Sequence, residues 1–258
     1  RVFGMVRAVS PFTLFDPAAY PGYYTSLPTF AAVLATAGLA LEFVVFENAD
    51  VVMPGFSDQQ THLNKVATAL ASSPNVFIEL GNEWSLNGFD PSSFGVPIGI
   101  LSSRGSGTSG GELPPTPPWD YVTYHAPRTS EWPRKAHDLL ELRGGYPGFQ
   151  GFARPCVNDE PMGAGDTDIP GSRSTVANDF YWFAAMSQMV GAGATFHSEQ
   201  GLTSQVFTGT QLACANAFFA GLSVIPVTAQ ADAYTRGLLS DFPLSFDESW
   251  CLRAYAKL

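Results

Sequence analysis

The sequence predicts an α/β fold: a (β/α)8 TIM barrel that lacks its first strand, followed by the start of a small C-terminal β-rich appendage. Three observations carry this expectation. Apolar, β-branched runs alternate with helical patterns at intervals of roughly 20–40 residues, as βαβ units around a parallel sheet do. The chain has 258 residues, 45% of them hydrophobic, which suits a single barrel of about 250 residues. Two of the apolar runs end in a glutamate, at the strand ends where such barrels keep their chemistry.

The elements follow in order. Residues 2–9 read as a strand. A helix over 27–37 puts Leu27, Phe30 and Leu34 on one face, with Gly38 placed to stop it. Residues 41–46 form a run of β-branched and aromatic side chains, the pattern of a strand buried on both faces. Asp58 is positioned to cap a helix in which Leu63, Val66 and Leu70 recur at helical spacing, before Pro74-Asn75. Residues 76–80 form the next strand, inside "NVFIELGNEW". Further strands are expected at 98–101, 121–124, 155–157 and 194–196, with helices at 131–142 and 176–190. Residues 102–118 read as a Gly/Ser-rich and then Pro-rich loop. The barrel is expected over 1–221 and the β-rich segment over 222–258. Arg1 follows no initiator Met and no leader pattern, so the chain reads as processed or excerpted.

Composition narrows the function. Thirteen Lys and Arg stand against 23 Asp and Glu, for a net charge of −10. No basic stripe exists to displace counterions from a nucleic-acid backbone, and a neutral glycan would not be repelled. Apolar runs fall far short of the roughly 20 residues of a membrane helix. Cys156, Cys214 and Cys251 show no zinc-type spacing; one disulfide and buried free thiols are both compatible with three scattered cysteines. Two glycine motifs fail on sterics. Residues 105–110 match G-x-G-x-x-G and 107–111 match G-x-S-x-G, but both need a helix to start at once, and Pro114-Pro115-Thr116-Pro117-Pro118 forbids one.

One constellation remains. The strand 76–80 delivers Asn82 and Glu83, and "PCVNDEPMG" delivers Glu160 just before a Pro-containing turn. Carboxylates from two strand ends of one parallel barrel face the same mouth. Glycosidic cleavage needs such a pair, one to protonate the leaving oxygen and one to attack or to activate water.

Together these residues resemble the retaining (β/α)8 glycoside hydrolases of clan A, the group that includes the family-five cellulases and mannanases. The resemblance spans roughly residues 1–200 in topology and short motifs. It implies an Asn-Glu acid/base at the end of strand four, here Asn82-Glu83, and a nucleophile at the end of strand seven, here Glu160. "GMVRAV" resembles the segment whose arginine supports the nucleophile, which gives that role to Arg7. "VTYHAPR" resembles the segment that brings a His or Tyr near the nucleophile, here Tyr124 and His125. Asn82 would bond the sugar 2-hydroxyl. The sequence departs from the family where "GATFHSEQG" offers His197 and Glu199 in place of a Trp platform, and where Asp159 directly precedes Glu160.

Each assignment has a plainer counterpart. Arg7 also suits a salt bridge, His125 a core imidazole, and Trp84 and Trp132 core filling as well as sugar stacking. His62 and His137 fall in helical patterns and are expected at the surface. The expectation is hydrolysis with retention of a poly- or oligosaccharide, with no metal or organic cofactor, outside the cell or at its surface. The alternative is a non-catalytic structural or glycan-binding barrel of a cell-surface or virus-particle assembly. A separation of about 5–5.5 Å between the carboxyls distinguishes retention from inversion.

Overall fold

The computed structural model describes residues 1–5, 16–84, 87, 89–95, 97, 99–105, 120–125, 128–129, 156–160, 164, 175–189, 192–198, 207 and 209–224. Arg7, Trp132, His137, Glu199 and Cys251 lie outside these residues. So do the expected helix at 131–142, most of the 102–118 loop, and the appendage beyond residue 224. The chain divides into two compact units, Arg1–Thr123 and Tyr124–Leu258.

In the first unit four strands form one sheet in the order β1 (Val2–Phe3), β2 (Leu41–Phe46), β3 (Val76–Gly81) and β4 (Ser102–Ser103), and every pairing is parallel. Helices α1 (Tyr23–Thr36) and α3 (Phe56–Leu70), with the short α2 (Ala49–Val52) between them, supply the crossovers. All six residues of β2 are buried, as expected of a strand covered on both faces. The helix-side face carries Leu41, Phe43, Val45, Val76, Ile78 and Leu80, packed with Leu27, Ala31, Leu63, Val66 and Leu70. Alternation puts Glu42, Phe77 and Glu79 on the opposite face. There Tyr121 donates to Glu42 Oε1 at 3.0 Å and sets its ring edge-on to Phe77.

Several local expectations shift. The buried stripe of α1 is Tyr23, Leu27 and Ala31, with Phe30 left 37% exposed, because the helix starts earlier and its contacts run at i, i+4. Its end is as anticipated: Gly38 has φ +73°, its N–H bonds Ala35 O, and Leu39 N–H bonds Leu34 O, a Schellman closure. Gly55 rather than Asp58 is the N-cap of α3; Asp58 sits in its first turn, where the helix dipole favours a carboxylate. The strand expected at 98–101 pairs instead at Ser102–Ser103, residues assigned to the loop. Ile100 is drawn into the apolar cluster, and Leu101 contributes only its carbonyl, to Ile78 N–H.

His62 is the clearest correction. It is not a surface residue but 1% exposed, among Tyr23, Tyr24 and Phe46, with Nδ1 2.8 Å from Tyr24 Oη. Helical spacing identified a helix there but not which of its faces turned inward.

In the second unit β5 (Val122–Tyr124), which begins in the first, β6 (Cys156–Asn158) and β7 (Gly193–Ala194) form a three-stranded sheet, with β6 and β7 parallel. Helices α4 (Ala177–Met189) and α5 (Gly209–Leu222) pack on each other. Phe180, Phe183, Met186, Cys214 and Phe218 form the centre of their core. The α4 helix agrees with the 176–190 expectation, whereas α5 was not anticipated. Cys156 and Cys214 are buried, and burial pushes the Cys214 thiol up to about 11. No helix among the described residues is long and apolar enough to cross a membrane.

The setting of His62 gives a stability prediction. Burial, with nearby Lys65 acting in the same direction, lowers its pKa from 6.5 to about 4 against the opposing bond to the Val45 backbone. Between these values the unfolded chain binds the proton and the native ring does not. The stabilisation is therefore full above pH 6.5 and lost as pH falls toward about 4. It should amount to roughly 3 kcal/mol. Urea melts at several pH values should show His62→Gln losing this slope; parallel pH profiles for the variant and the wild type would refute it.

Candidate active site

In the first unit, one group of candidate residues lies where β3 ends. Asn82 continues the strand by one residue, its N–H bonding Phe46 O at 3.1 Å, and is 5% exposed. The chain then turns. Asn87 N–H bonds Glu83 O, the Asn87 side chain donates to Asn82 O, and Phe89 N–H bonds Trp84 O. Glu83 heads this turn with φ +40°, a left-handed conformation rare outside Gly and Asn. Such strain costs on the order of 1–3 kcal/mol and concentrates at functional sites.

The carboxylate of Glu79, fully buried within β3, receives two bonds from Arg1, Nε at 2.9 Å and Nη2 at 2.7 Å. Arg1 Nη2 also donates to Asn82 Oδ1 at 2.8 Å, and its guanidinium lies over the Phe3 ring. One cation thus neutralises the strand and fixes the Asn82 amide. Gly105 approaches the same strand end: at φ +106°, an added Cβ would lie 2.0 Å from Gly81 O. Trp84 is half-buried, packs on the apolar cluster and carries the Arg104 guanidinium 5.1 Å above its ring.

In the second unit, a separate group lies where β6 ends. Glu160, 9% exposed, stands at a bend and is met on both oxygens. Oε2 lies 3.1 Å from His125 Nδ1; Oε1 lies 3.3 Å from both Arg128 Nη2 and His197 Nε2. Asp159, fully buried, has Oδ1 3.5 Å from His125 Nε2. The backbone secures this arrangement. Asp159 N–H bonds Tyr124 O, Thr195 N–H bonds Asn158 O, and the Thr195 hydroxyl donates to Asp159 O.

The structure thus brings His125 and His197 to Glu160, and Arg1 to Asn82. Tyr124, adjacent to His125 on a strand, packs on the α4–α5 cluster. Sequence reasoning did not single out Arg1, Glu79 or Arg128. A carboxylate inside an apolar strand was the available signal for Glu79. Arg128, three residues after His125, stood in the segment already noted.

The chain matches no known family and no curated protein sequence. Among solved structures it is similar to a candidate glycoside hydrolase from Bacteroides vulgatus ATCC 8482, at 16% identity and a TM-score of 0.54, over 86% of this chain. A family 5 glycoside hydrolase from the same organism matches at 14% identity and a TM-score of 0.48, over 94% of this chain. The chain spans 43% of the first protein and 60% of the second. The first likeness establishes a glycoside-hydrolase-like α/β fold.

The residues at the β3 end give two predictions. Glu79→Gln leaves the Arg1 guanidinium facing a neutral amide, so unfolding by denaturant should show a loss of about 3–5 kcal/mol. A loss below about 1 kcal/mol would mean that solvent already screens the pair. Gly105→Ala should cost more than about 1 kcal/mol, because neither its φ nor its contact with Gly81 accepts a Cβ. An unchanged denaturation midpoint would contradict that packing.

Proposed function

We propose that the protein is a retaining glycoside hydrolase on a (β/α)8 barrel, cleaving O-glycosidic bonds of a poly- or oligosaccharide, with Glu83 as acid/base and Glu160 as nucleophile. The observation that best supports this is the setting of Glu160. It is a strand-end carboxylate with nitrogen groups of His125, Arg128 and His197 within 3.3 Å of its oxygens. Such contacts hold a nucleophile in one orientation, and orientation supplies much of the rate in displacement chemistry. The fold likeness is consistent with the same class, although a fold alone does not fix an activity.

In the first step a Glu160 oxygen bonds to the anomeric carbon as the glycosidic C–O bond breaks, and Glu83 gives its proton to the departing oxygen. In the second step water attacks the same carbon, Glu83 takes the water's proton, and the Glu160 carboxylate leaves. Asn82, whose Oδ1 is engaged by Arg1, presents its amide NH2 as the donor to a sugar hydroxyl. Trp84, half-buried beside Arg104, is the aromatic side chain that would contact a sugar ring. No step calls for a metal or an organic cofactor.

A panel of aryl glycosides and polysaccharides identifies the substrate. On it, Glu160→Gln should abolish turnover in a folded protein. Glu83→Gln should retain a burst with activated aryl leaving groups, which need little acid assistance, while losing natural linkages. The first-formed product should keep its anomeric configuration, as a double displacement requires. Wild-type rates in both variants would remove the assignment, and an inverted product would replace the mechanism.

A further inference from the structure

Arg104 is a cation that the two-glutamate chemistry does not use. It directly follows β4, which lies parallel to β3, and the close approach of Gly105 to Gly81 locks it beside the chain that leaves β3. The chain holds 23 Asp and Glu against 13 Lys and Arg, yet Arg104 makes no ion pair and no side-chain hydrogen bond among the described residues. Its guanidinium instead lies over the Trp84 ring, 5.1 Å from the centroid. Asp90 feels the charge, but its oxygens are committed. Oδ1 accepts from Ser92 N–H at 2.9 Å and Ser92 Oγ at 2.6 Å, and Oδ2 from Ser93 Oγ at 3.1 Å. Those bonds to Ser92, well ahead of Arg104, hold Asp90 below the usual carboxylate range.

A cation–π contact satisfies charge but no donor. Stacking therefore holds the guanidinium in place and leaves its N–H fork unspent. Arg104 Nε and Trp84 Nε1 are both buried without a hydrogen-bond partner among the described residues. Buried donors are ordinarily paired, and two in one stacked pair call for an acceptor. Both side chains are half-buried, so part of each still meets solvent. A guanidinium fork matches the paired oxygens of a carboxylate or sulfate better than a single hydroxyl. We propose that Arg104 and Trp84 form a subsite for an anionic substituent, carboxylate or sulfate, on the sugar chain, so that the substrate class is an acidic glycan. This rests on the reading of the protein as a glycoside hydrolase, in which Trp84 adjoins the acid/base Glu83. The net charge of −10 does not oppose it, because the general field is screened over a Debye length of about 8 Å while a partly buried contact pair is screened much less.

Calorimetric binding to the full chain carrying Glu160→Gln, which keeps ligands intact, tests the subsite. The probes are oligosaccharides of several backbones, each as the uronate, its methyl ester, a sulfate ester and the unsubstituted form. On at least one backbone the uronate or the sulfate should bind roughly 10- to 100-fold tighter than its uncharged counterparts, the range of one charge-assisted bond. Which of the two leads identifies the substituent. Arg104→Met should bring that ratio close to one, and Arg104→Lys should keep only part of it. The Trp84 indole N–H signal, assigned with Trp84→Phe, should shift with the charged ligand. A ratio near one before Arg104 is changed overturns the proposal, and leaves the hydrolase reading standing if an uncharged glycan is bound or cleaved. A ratio that survives Arg104→Met, or an indole signal unmoved by the charged ligand, overturns it as well. Should Arg104→Met fail to fold, the comparison of uronate with methyl ester and the indole shift decide. Binding of no oligosaccharide, charged or uncharged, overturns the subsite together with the carbohydrate reading.

Discussion

A carboxylate in the middle of a buried strand must be met by a cation, and in the first unit Glu79 imposes that requirement. Its neighbours across the sheet, Val44 and Ser103, bring no charge. Arg1 does so from the far side of the sheet, and the same Nη2 then reaches Asn82 Oδ1. The rigid fork of a guanidinium makes this double duty possible, since an ammonium would hold a looser geometry. The electrostatics of the sheet interior and the orientation of a strand-end amide are therefore one problem with one solution. Loss of Glu79 would also release Asn82.

The second unit answers a similar requirement with different groups. Two consecutive carboxylates leave β6, and the cationic or donor groups around them come from the residues after β5 and from His197 after β7. Glu160 shares its partners with a rim that retains some exposure, whereas Asp159 is wholly buried. That asymmetry separates two carboxylates that are neighbours in sequence. The backbone at Asp159 is tethered to Tyr124 and Thr195.

Local pattern revealed some of this and concealed the rest. β2 and β3 were legible because an unbroken apolar run flanked by breakers has few alternatives, and α3 because its apolar positions recur at helical spacing. Helix α5 was not legible: its sequence is apolar nearly all round, so no face stands out, and the helical period on which such readings depend is weak. β4 escaped because it consists of two serines, selected by the polar interior of the sheet rather than by strand propensity. His62 was misplaced for a related reason. A histidine next to an apolar stripe can lie on either side of its boundary, and only Tyr24 and Phe46, distant in sequence, decide which. Asn82, Glu83 and Glu160 were legible as strand-end polar residues. Arg1 and Arg128 were not, because their partners are set by pairings between strands.

The backbone at Glu83 adds a constraint that side-chain identity does not convey. A β-strand leaves its last side chain on one face or the other, and the next residue would ordinarily alternate. Adopting φ +40° turns the chain sharply after Asn82, so Glu83 departs from that alternation while Asn82 stays anchored to Phe46 and Arg1. The turn is closed by Asn87 on both Asn82 O and Glu83 O, and Phe89, stacked on Phe46 at 4.5 Å, ties the returning chain to the sheet. A glycine would adopt this conformation without strain but would carry no carboxyl. A glutamate held there against its backbone preference fits the acid/base role proposed for Glu83.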